Sequence, residues 1–176
     1  MIQVKDVVKS FDGNVVLDHI SADFEDGKVN MIIGQSGSGK TVLMKSMIGL
    51  HQIDEGEIVF DTRNGQQNLA GMTEKEVRML HREVGMLFQG AALFDSMTVQ
   101  ENVLFPLEMF SQMDKEEMVE RARFCLTRVN MPERAFGLMP SEISGGMQKR
   151  VAIARAIALN PRYLFCDEPN SGLDPK

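Results

Sequence analysis

The chain of 176 residues contains few cysteines and histidines and no tryptophan. Cys125 and Cys166 lie far apart and form no C-x-x-C pair. This argues against a disulfide framework or a zinc site and favours a reducing, cytosolic setting. His19, His51 and His81 show none of the spacings of metal-binding histidines, and we interpret them as solvated or half-buried side chains.

Long apolar runs and an excess of basic residues are also missing. No apolar run reaches the roughly 18 residues that a membrane-spanning helix needs. The first residues, MIQVKDVVKSF, lack the long apolar core of a signal peptide. The net charge of -6 argues against bulk attraction to nucleic acid or anionic lipid. A role at a membrane would therefore require a partner protein.

What is present is the composition of a soluble globular protein, with 43% apolar and 25% charged residues and a length that suits one domain. Alternating apolar and polar residues predict short strands in the first third, with a tight turn at 12–14. We expect a further strand at 29–33 that leads into a glycine-rich loop and a helix. Another strand is predicted at 58–60, followed by a polar loop at 62–71.

The later part of the chain is predicted to be mainly helical. Capping-box patterns at Thr73 and Thr98 mark two helix starts. Pro106 should kink or divide the second of these helices. An amphipathic helix is predicted at 114–129, and its apolar face includes Cys125, which we interpret as a core residue. With short strands at 84–88 and 163–166, the order of elements indicates an α/β protein with an inserted helical subdomain.

One octapeptide carries the strongest chemical signal. Residues 34–41 read GQSGSGKT and match the phosphate-loop pattern G-x-x-x-x-G-K-[ST] completely. Glycines let backbone N–H groups close around a phosphate chain, and the following helix adds the positive end of its dipole. Lys40 would reach the outer phosphates, and the hydroxyl of Thr41 would bind Mg²⁺. The predicted nucleotide-binding residues here are Ser36, Gly37, Ser38, Gly39, Lys40, Thr41 and Val42.

Two adjacent acids, Asp167 and Glu168, follow the apolar run at 163–166. Phosphoryl transfer needs one group that positions a metal ion and another that activates water, so two acids are useful at one strand end. We assign the first task to Asp167 and the second to Glu168. Acids often begin solvated loops, but together with the phosphate loop this pair predicts a P-loop nucleotide hydrolase.

A second potential anion site precedes the periodic helix that begins near residue 147. Ser144, Gly145 and Gly146 would expose backbone N–H groups and a serine hydroxyl at the start of this helix. Two phosphate sites in one small domain are unexpected, unless the second one serves another copy of the protein.

Together, these motifs resemble the nucleotide-binding domain of ATP-binding cassette (ABC) proteins. The resemblance implies a P-loop nucleoside triphosphate hydrolase core with an N-terminal antiparallel β subdomain and an inserted α-helical subdomain. It implies a single domain, with the β subdomain and core at 1–89, the helical subdomain at 90–145 and a return to the core at 146–176. The matching stretches are Phe11, GQSGSGKT at 34–41, Gln89, ISGGM at 143–147, YLFCDE at 163–168 and SGLD at 171–174.

The resemblance also implies an ATPase that uses ATP and Mg²⁺ and works as a head-to-tail homodimer. ATP would lie between the phosphate loop of one copy and the Ser-Gly-Gly segment of the other. Phe11 would stack on adenine, Gln89 would contact Mg²⁺ and the attacking water, and Asp174 would contact the opposite subunit. The implied catalytic residues are Lys40, Gln89 and Glu168, and the implied metal ligands are Thr41, Gln89 and Asp167.

Two departures from the family pattern stand out. The fifth signature residue is usually glutamine, but here it is Met147, with Gln148 next. We expect function to survive, because the serine and glycines make the main phosphate contacts. The switch histidine of the family lies a few tens of residues beyond the acid pair, and no residue follows Lys176. We therefore expect a C-terminally truncated cassette that hydrolyses ATP poorly and dimerises weakly.

Within the family, residues 87–107 and 141–161 look most like the ATPases of Mla/Mce-type phospholipid-transport systems. This similarity implies a membrane-spanning permease as partner, a peripheral location on the cytoplasmic face of the inner membrane, and no nucleic-acid partner. Three alternatives stay open: an ABC ATPase for amino acids, metals or lipoprotein export, a soluble ABC protein acting on ribosomes or DNA, and a nucleotide-binding regulatory module without turnover. The single cassette, the net acidity and the compact insert favour the transporter.

Overall fold

The computed structural model describes residues 1–167 and contains two compact units, Met1–His81 and a second that begins at Arg82. The first unit is built on a four-stranded antiparallel sheet with the strand order β2-β1-β3-β4. Its strands are β1 (Ile2–Phe11), β2 (Asn14–Phe24), β3 (Glu55–Thr62) and β4 (Gly65–Asn68).

A tight turn joins β1 to β2, as the sequence predicts. Phe11 pairs with Asn14 across it, and Asp12 and Gly13 have φ angles of 49° and 81°. Positive φ at both central residues is typical of the hairpin turns that match the twist of the strands.

The backbones of β1 and β3 approach closely at Gly56, where a Cβ atom would come within 2.4 Å of the Asp6 carbonyl oxygen. Only glycine fits where β3 passes this irregular part of β1.

Two helices complete the first unit: α1 (Lys40–Met47) and α2 (Glu74–Leu80). The predicted capping box of α2 is present, because the Thr73 N–H donates to Glu76 Oε2 at 2.7 Å and the Glu76 N–H donates to Thr73 Oγ1 at 3.4 Å. The buried apolar side chains of this unit form its core: Ile2, Val4, Val7, Leu17, Leu43, Met44, Met47, Ile48, Ile58, Phe60 and Leu80.

The prediction of a strand at 29–33 is wrong, because these residues do not form a strand in the structure. Val29, Met31 and Ile33 are 94%, 75% and 84% exposed. A run of β-branched and other apolar residues favours an extended backbone, but a strand also needs a neighbour that accepts its hydrogen bonds.

The polar loop predicted at 62–71 is also wrong in part. Its central residues form β4, which pairs with β3 from Thr62↔Gly65 to Val59↔Asn68. An edge strand is stabilised by backbone hydrogen bonds and needs no apolar face, so the polar residues of β4 gave no strand signal.

The second unit contains a parallel pair of strands, β5 (Val84–Leu87) and β6 (Tyr163–Cys166). Its helices are α3 (Val99–Phe110), α4 (Lys115–Arg128) and α5 (Gly145–Ile157). These helices share one core of buried residues: Val99, Val103, Leu107, Ala122, Cys125, Leu126, Met131, Ala135, Phe136, Ile143, Val151, Ala154 and Ala158.

Pro106, predicted to kink or divide this helix, does not divide it, since the helix runs without a break from Val99 to Phe110. Val99, Val103 and Leu107 are completely buried in the shared core, so packing holds both halves in one helix. Cys125 is buried as predicted, and burial raises the pKa of its thiol, whereas Cys166 is exposed. Among the described residues, no helix combines the length and the apolar character needed to cross a membrane.

Candidate functional site

The glycine-rich segment 34–41 forms an exposed loop that ends at the N-terminus of α1. Gly37 and Gly39 have φ angles of 79° and 89°, in the region that L side chains rarely adopt. A Cβ atom at Gly39 would lie 3.1 Å from the Val16 carbonyl oxygen, so the loop passes close to β2 at this point. The structure thus gives a physical reason for a glycine at position 39.

Lys40 folds back over this loop. Its Nζ atom donates hydrogen bonds to the carbonyl oxygens of Gly34 at 2.9 Å and Gln35 at 2.7 Å. The N-cap residue of α1 is Gly39, which has no side chain to cap the helix, and the first turn contains no acid. By contrast, side chains cap the other four α-helices within residues 1–167: Thr73, Thr98, Asp114 and Ser144.

An uncapped helix N-terminus beside a lysine ammonium fits a phosphate group, since both features favour negative charge. Thr41 follows Lys40 in the first turn of α1, where a hydroxyl could bind a hard cation. All of the residues predicted from the motif lie in this one loop and first turn: Ser36, Gly37, Ser38, Gly39, Lys40, Thr41 and Val42.

Phe11, the predicted adenine-stacking residue, ends β1 with 38% of its surface exposed. The Lys9 ammonium lies 5.2 Å from the centre of its ring, and the His51 ring meets it edge-on at 5.3 Å between centroids. Sequence reasoning missed both neighbours. Lys9 could have been found, because residues two apart on a strand share a face, but His51 reaches Phe11 only through the fold.

The Asp54 carboxylate accepts hydrogen bonds from two neighbouring residues of β1. Its Oδ1 accepts from Lys9 Nζ at 2.7 Å, and its Oδ2 accepts from the Ser10 N–H at 2.6 Å and from Ser10 Oγ at 2.7 Å. The Lys9 ammonium and then the two Ser10 donors hold the pKa of Asp54 at about 2, below its ordinary value of 3.8. The carboxylate therefore keeps Lys9 beside the ring of Phe11.

We predict that Asp54→Asn removes a pH-dependent part of the stability. A carboxyl with a depressed pKa stabilises the fold above pH 3.8, and this stabilisation disappears as the pH falls through about 2. The difference in free energy of unfolding between the wild type and Asp54→Asn should therefore shrink as the pH falls from 3.8 to about 2, as measured by urea unfolding. Glu57→Gln, which changes an exposed acid of β3, should show no such convergence. A difference that stays constant over this pH interval would contradict the assignment.

In the second unit, Gln89 and Asp167 come together at one edge. Leu87 pairs with Cys166 in the parallel ladder, and the Asp167 N–H donates to the Leu87 carbonyl oxygen at 2.9 Å. Asp167 is buried directly after β6, and Gln89 is exposed two residues after β5. A carboxylate and an amide at the carboxyl ends of parallel strands are suitable oxygen ligands for Mg²⁺. Glu168 and Asp174 lie outside the described residues.

The Ser144 segment forms the predicted helix start. Ser144 Oγ accepts a hydrogen bond from the Met147 N–H at 3.3 Å, while Gly145 and Gly146 are exposed, and a Cβ atom at either glycine would meet no other atom within 4 Å. Met147 packs against the helical core, and Gln148 Nε2 donates to the Pro140 carbonyl oxygen at 2.8 Å. The departure at position 147 thus places an apolar residue against the core.

The family model described as ABC transporter matches residues 17–171. The chain belongs to the ABC transporter family. Within this family, the methionine import ATP-binding protein MetN of Clostridium tetani is 40% identical over 177 residues, covering 100% of this chain and 54% of MetN. The glutamine transport ATP-binding protein GlnQ of Escherichia coli is 40% identical over 176 residues, covering 100% and 71% of the two chains. The chain spans about half the length of MetN.

A solved member of the ABC transporter family has the same fold. It is a dimeric ATP-binding cassette in a post-hydrolysis state bound to ADP and Pi. The two structures superpose with a TM-score of 0.89 at 32% identity, over 99% of this chain and 76% of that one. The predicted fold class is therefore confirmed: an α/β P-loop fold with an antiparallel β subdomain and an α-helical part.

Proposed function

We propose that this chain is the ATP-binding and ATP-hydrolysing subunit of an ABC transporter. The observation that carries the proposal is the loop at 34–41, where Lys40 and the uncapped N-terminus of α1 lie side by side. Such a site binds the phosphates of a nucleotide through charge and backbone N–H groups. Phe11 supplies an exposed aromatic ring for the base.

The side chains divide the chemistry between them. Lys40 would neutralise the outer phosphates, and Thr41, Gln89 and Asp167 would hold the metal ion. When bound, Mg²⁺ neutralises charge on the phosphate oxygens and orients the leaving group. Gln89 would also orient the attacking water, and Glu168 would accept its proton.

The exposed N-terminus of α5 supports a head-to-tail homodimer. Ser144, Gly145 and Gly146 present a second helix start that fits phosphate, and its first turn contains no acid. We propose that this segment contacts the ATP held by the other copy and that Asp174 contributes to the same interface. The solved cassette with the same fold is dimeric and holds ADP and Pi.

For transport, we propose a membrane-spanning permease as the partner and a peripheral position on the cytoplasmic face of the inner membrane. Phospholipid is the proposed cargo, on the resemblance of segments 87–107 and 141–161 to lipid-transport ATPases. Amino acids are the second candidate, because relatives that are 40% identical are named as methionine and glutamine transport proteins. The net charge of -6 supports a partner other than nucleic acid.

The test is purification of the full-length protein from its native membrane, followed by identification of the co-purifying membrane protein and reconstitution into vesicles. We expect Mg²⁺-dependent release of phosphate from ATP. Phospholipid cargo predicts transfer of a labelled lipid that requires ATP, whereas amino-acid cargo predicts uptake of labelled methionine or glutamine. Absence of Mg-ATP binding and hydrolysis would contradict the proposed function.

A further inference from the structure

A strained turn directly follows Gln89. Gly90, Ala91 and Ala92 all have positive φ angles, of 81°, 65° and 46°. Glycine adopts this conformation readily, but alanine does so rarely, and two consecutive alanines are less common still. The Ala92 N–H donates to the Gly90 carbonyl oxygen at 2.8 Å, which closes the turn. Such a turn persists only where the surrounding structure holds it.

Arg155, on α5, is the side chain that holds this turn. Its Nη2 donates to the Ala91 carbonyl oxygen at 3.0 Å, and its guanidinium carbon lies 5.7 Å from the centre of the Phe94 ring. Ala91 is buried and packs with Leu87 and Ala152. Burial lowers the pKa of Arg155. A charge-assisted hydrogen bond is strengthened by such partial removal from water.

The far end of the same segment is held by Asn102, on α3. Asn102 is completely buried, and its Oδ1 accepts from the Phe94 N–H at 2.8 Å. Its Nδ2 lies 3.0–3.1 Å from the carbonyl oxygens of Phe94, Met97 and Thr98. Residues 94–98 are thus fixed to the helical core through Asn102, while the turn at 90–92 is hydrogen-bonded to Arg155.

The position of Arg155 is itself fixed against β5. A Cβ atom at Gly85 would lie 2.4 Å from the carbonyl oxygen of Ala156, so α5 passes too close to β5 for any side chain at this point. The backbone of α5 next to Arg155 is therefore held close to β5, the strand that leads to Gln89. The Arg155 side chain then reaches Ala91, which follows β5 along the chain.

We propose that Arg155 is a positioning residue for Gln89. It ties the strained turn 90–92 to α5 and so sets the direction in which Gln89 leaves β5. Since α5 begins at Gly145, directly after Ser144, the same arginine links Gln89 to the helix that carries the second anion site. This inference rests on the proposed ATPase function and adds to it a residue that touches neither nucleotide nor metal.

The test is Arg155→Met in the full-length protein. The kcat of ATP hydrolysis should fall about tenfold or more, because a misplacement of about 1 Å can cost on the order of 100-fold. The KM for ATP should change little, since Lys40 and the loop at 34–41 are untouched. Arg155→Lys keeps a cation near the Ala91 carbonyl and should recover part of kcat. Amide hydrogen exchange at 90–92 should accelerate in Arg155→Met.

Arg121→Met is the matched control. Arg121 also bonds α5 and the residue that follows it, with Nε 2.8 Å from the Ala158 carbonyl oxygen and Nη2 3.0 Å from that of Ile157, and its guanidinium carbon lies 5.3 Å from the centre of the Phe124 ring. This variant should leave kcat and exchange at 90–92 unchanged. A kcat for Arg155→Met close to wild type, or an equal loss in the control, would overturn the inference.

The proposed function and this inference fail in different ways. If the wild-type protein does not hydrolyse ATP, the proposed function is contradicted, and the exchange measurement still tests the role of Arg155. Unchanged exchange at 90–92 in Arg155→Met would overturn the inference even in an active ATPase.

Discussion

Lys40→Ala should weaken binding of Mg-ATP by about 10- to 100-fold, because hydrogen bonds to charged groups contribute about 1.5 to 3 kcal/mol. The Lys40 ammonium bonds the carbonyl oxygens of Gly34 and Gln35, so it already lies over the loop in which the phosphates are proposed to bind. Alanine is a good helix former, and its introduction at the first position of α1 should leave the helix intact.

Calorimetric titration with Mg-ATP measures this effect directly. Lys45→Ala is the matched control, because it removes a lysine from the last turn of the same helix. We expect its affinity for Mg-ATP to stay near that of the wild type. An unchanged affinity in Lys40→Ala, with circular dichroism showing an intact fold, would rule out the phosphate-loop assignment.

The second large effect is expected from replacing Asp167 and Glu168, whose variants should lose ATP hydrolysis for different reasons. Asp167→Asn keeps the shape of a buried side chain but removes the charge that the metal ion requires, so half-maximal hydrolysis should need more Mg²⁺. Glu168→Gln should leave binding of ATP and Mg²⁺ intact and lower kcat by on the order of 100- to 10,000-fold, the usual contribution of a general base. It should also prolong the ATP-bound dimer.

Steady-state phosphate release over a series of Mg²⁺ concentrations separates the two roles, and size-exclusion chromatography with ATP reports the dimer. Glu108→Gln, which changes an exposed acid on α3, provides the control. Retained turnover in Glu168→Gln would remove this residue from catalysis. An unchanged Mg²⁺ requirement in Asp167→Asn would remove Asp167 from the metal site.

Features that depend on a few neighbouring residues could be predicted from the sequence. The capping boxes at Thr73 and Thr98 need only a side chain and a backbone N–H three residues apart, and both are present. The hairpin at 12–14 and the helix that follows the glycine-rich loop are equally local. Each is determined by residue type and short-range geometry, so the pattern of neighbouring residues is sufficient to predict it.

Features that depend on distant partners could not be predicted in this way. The segment 29–33 is rich in apolar residues typical of strands, but its structure depends on a neighbouring strand that local composition does not reveal. Pro106 is expected to kink or divide its helix, yet α3, with one face buried, is continuous from Val99 to Phe110. The contact of Arg155 with Ala91 joins positions 64 residues apart, and the left-handed conformation of Ala91 has no signal in an alanine.

The identity of the proposed cargo cannot be derived from the motifs of this sequence. The motifs that identify the family concern phosphate, metal and water, and the chemistry they supply is the same for every transported molecule. Lipid and amino acid therefore give the same expectation for Lys40, Asp167 and Ser144, and the vesicle experiment must separate them.

The different burial of the two cysteines makes the wild-type chain suitable for single-site thiol labelling. Cys125 is inaccessible in the helical core, while Cys166 is exposed immediately before Asp167. Partial desolvation raises the pKa of the Cys166 thiol, so a maleimide dye would react best at mildly alkaline pH. A fluorophore there would report on the proposed Mg²⁺ site at Asp167, without prior removal of any native cysteine.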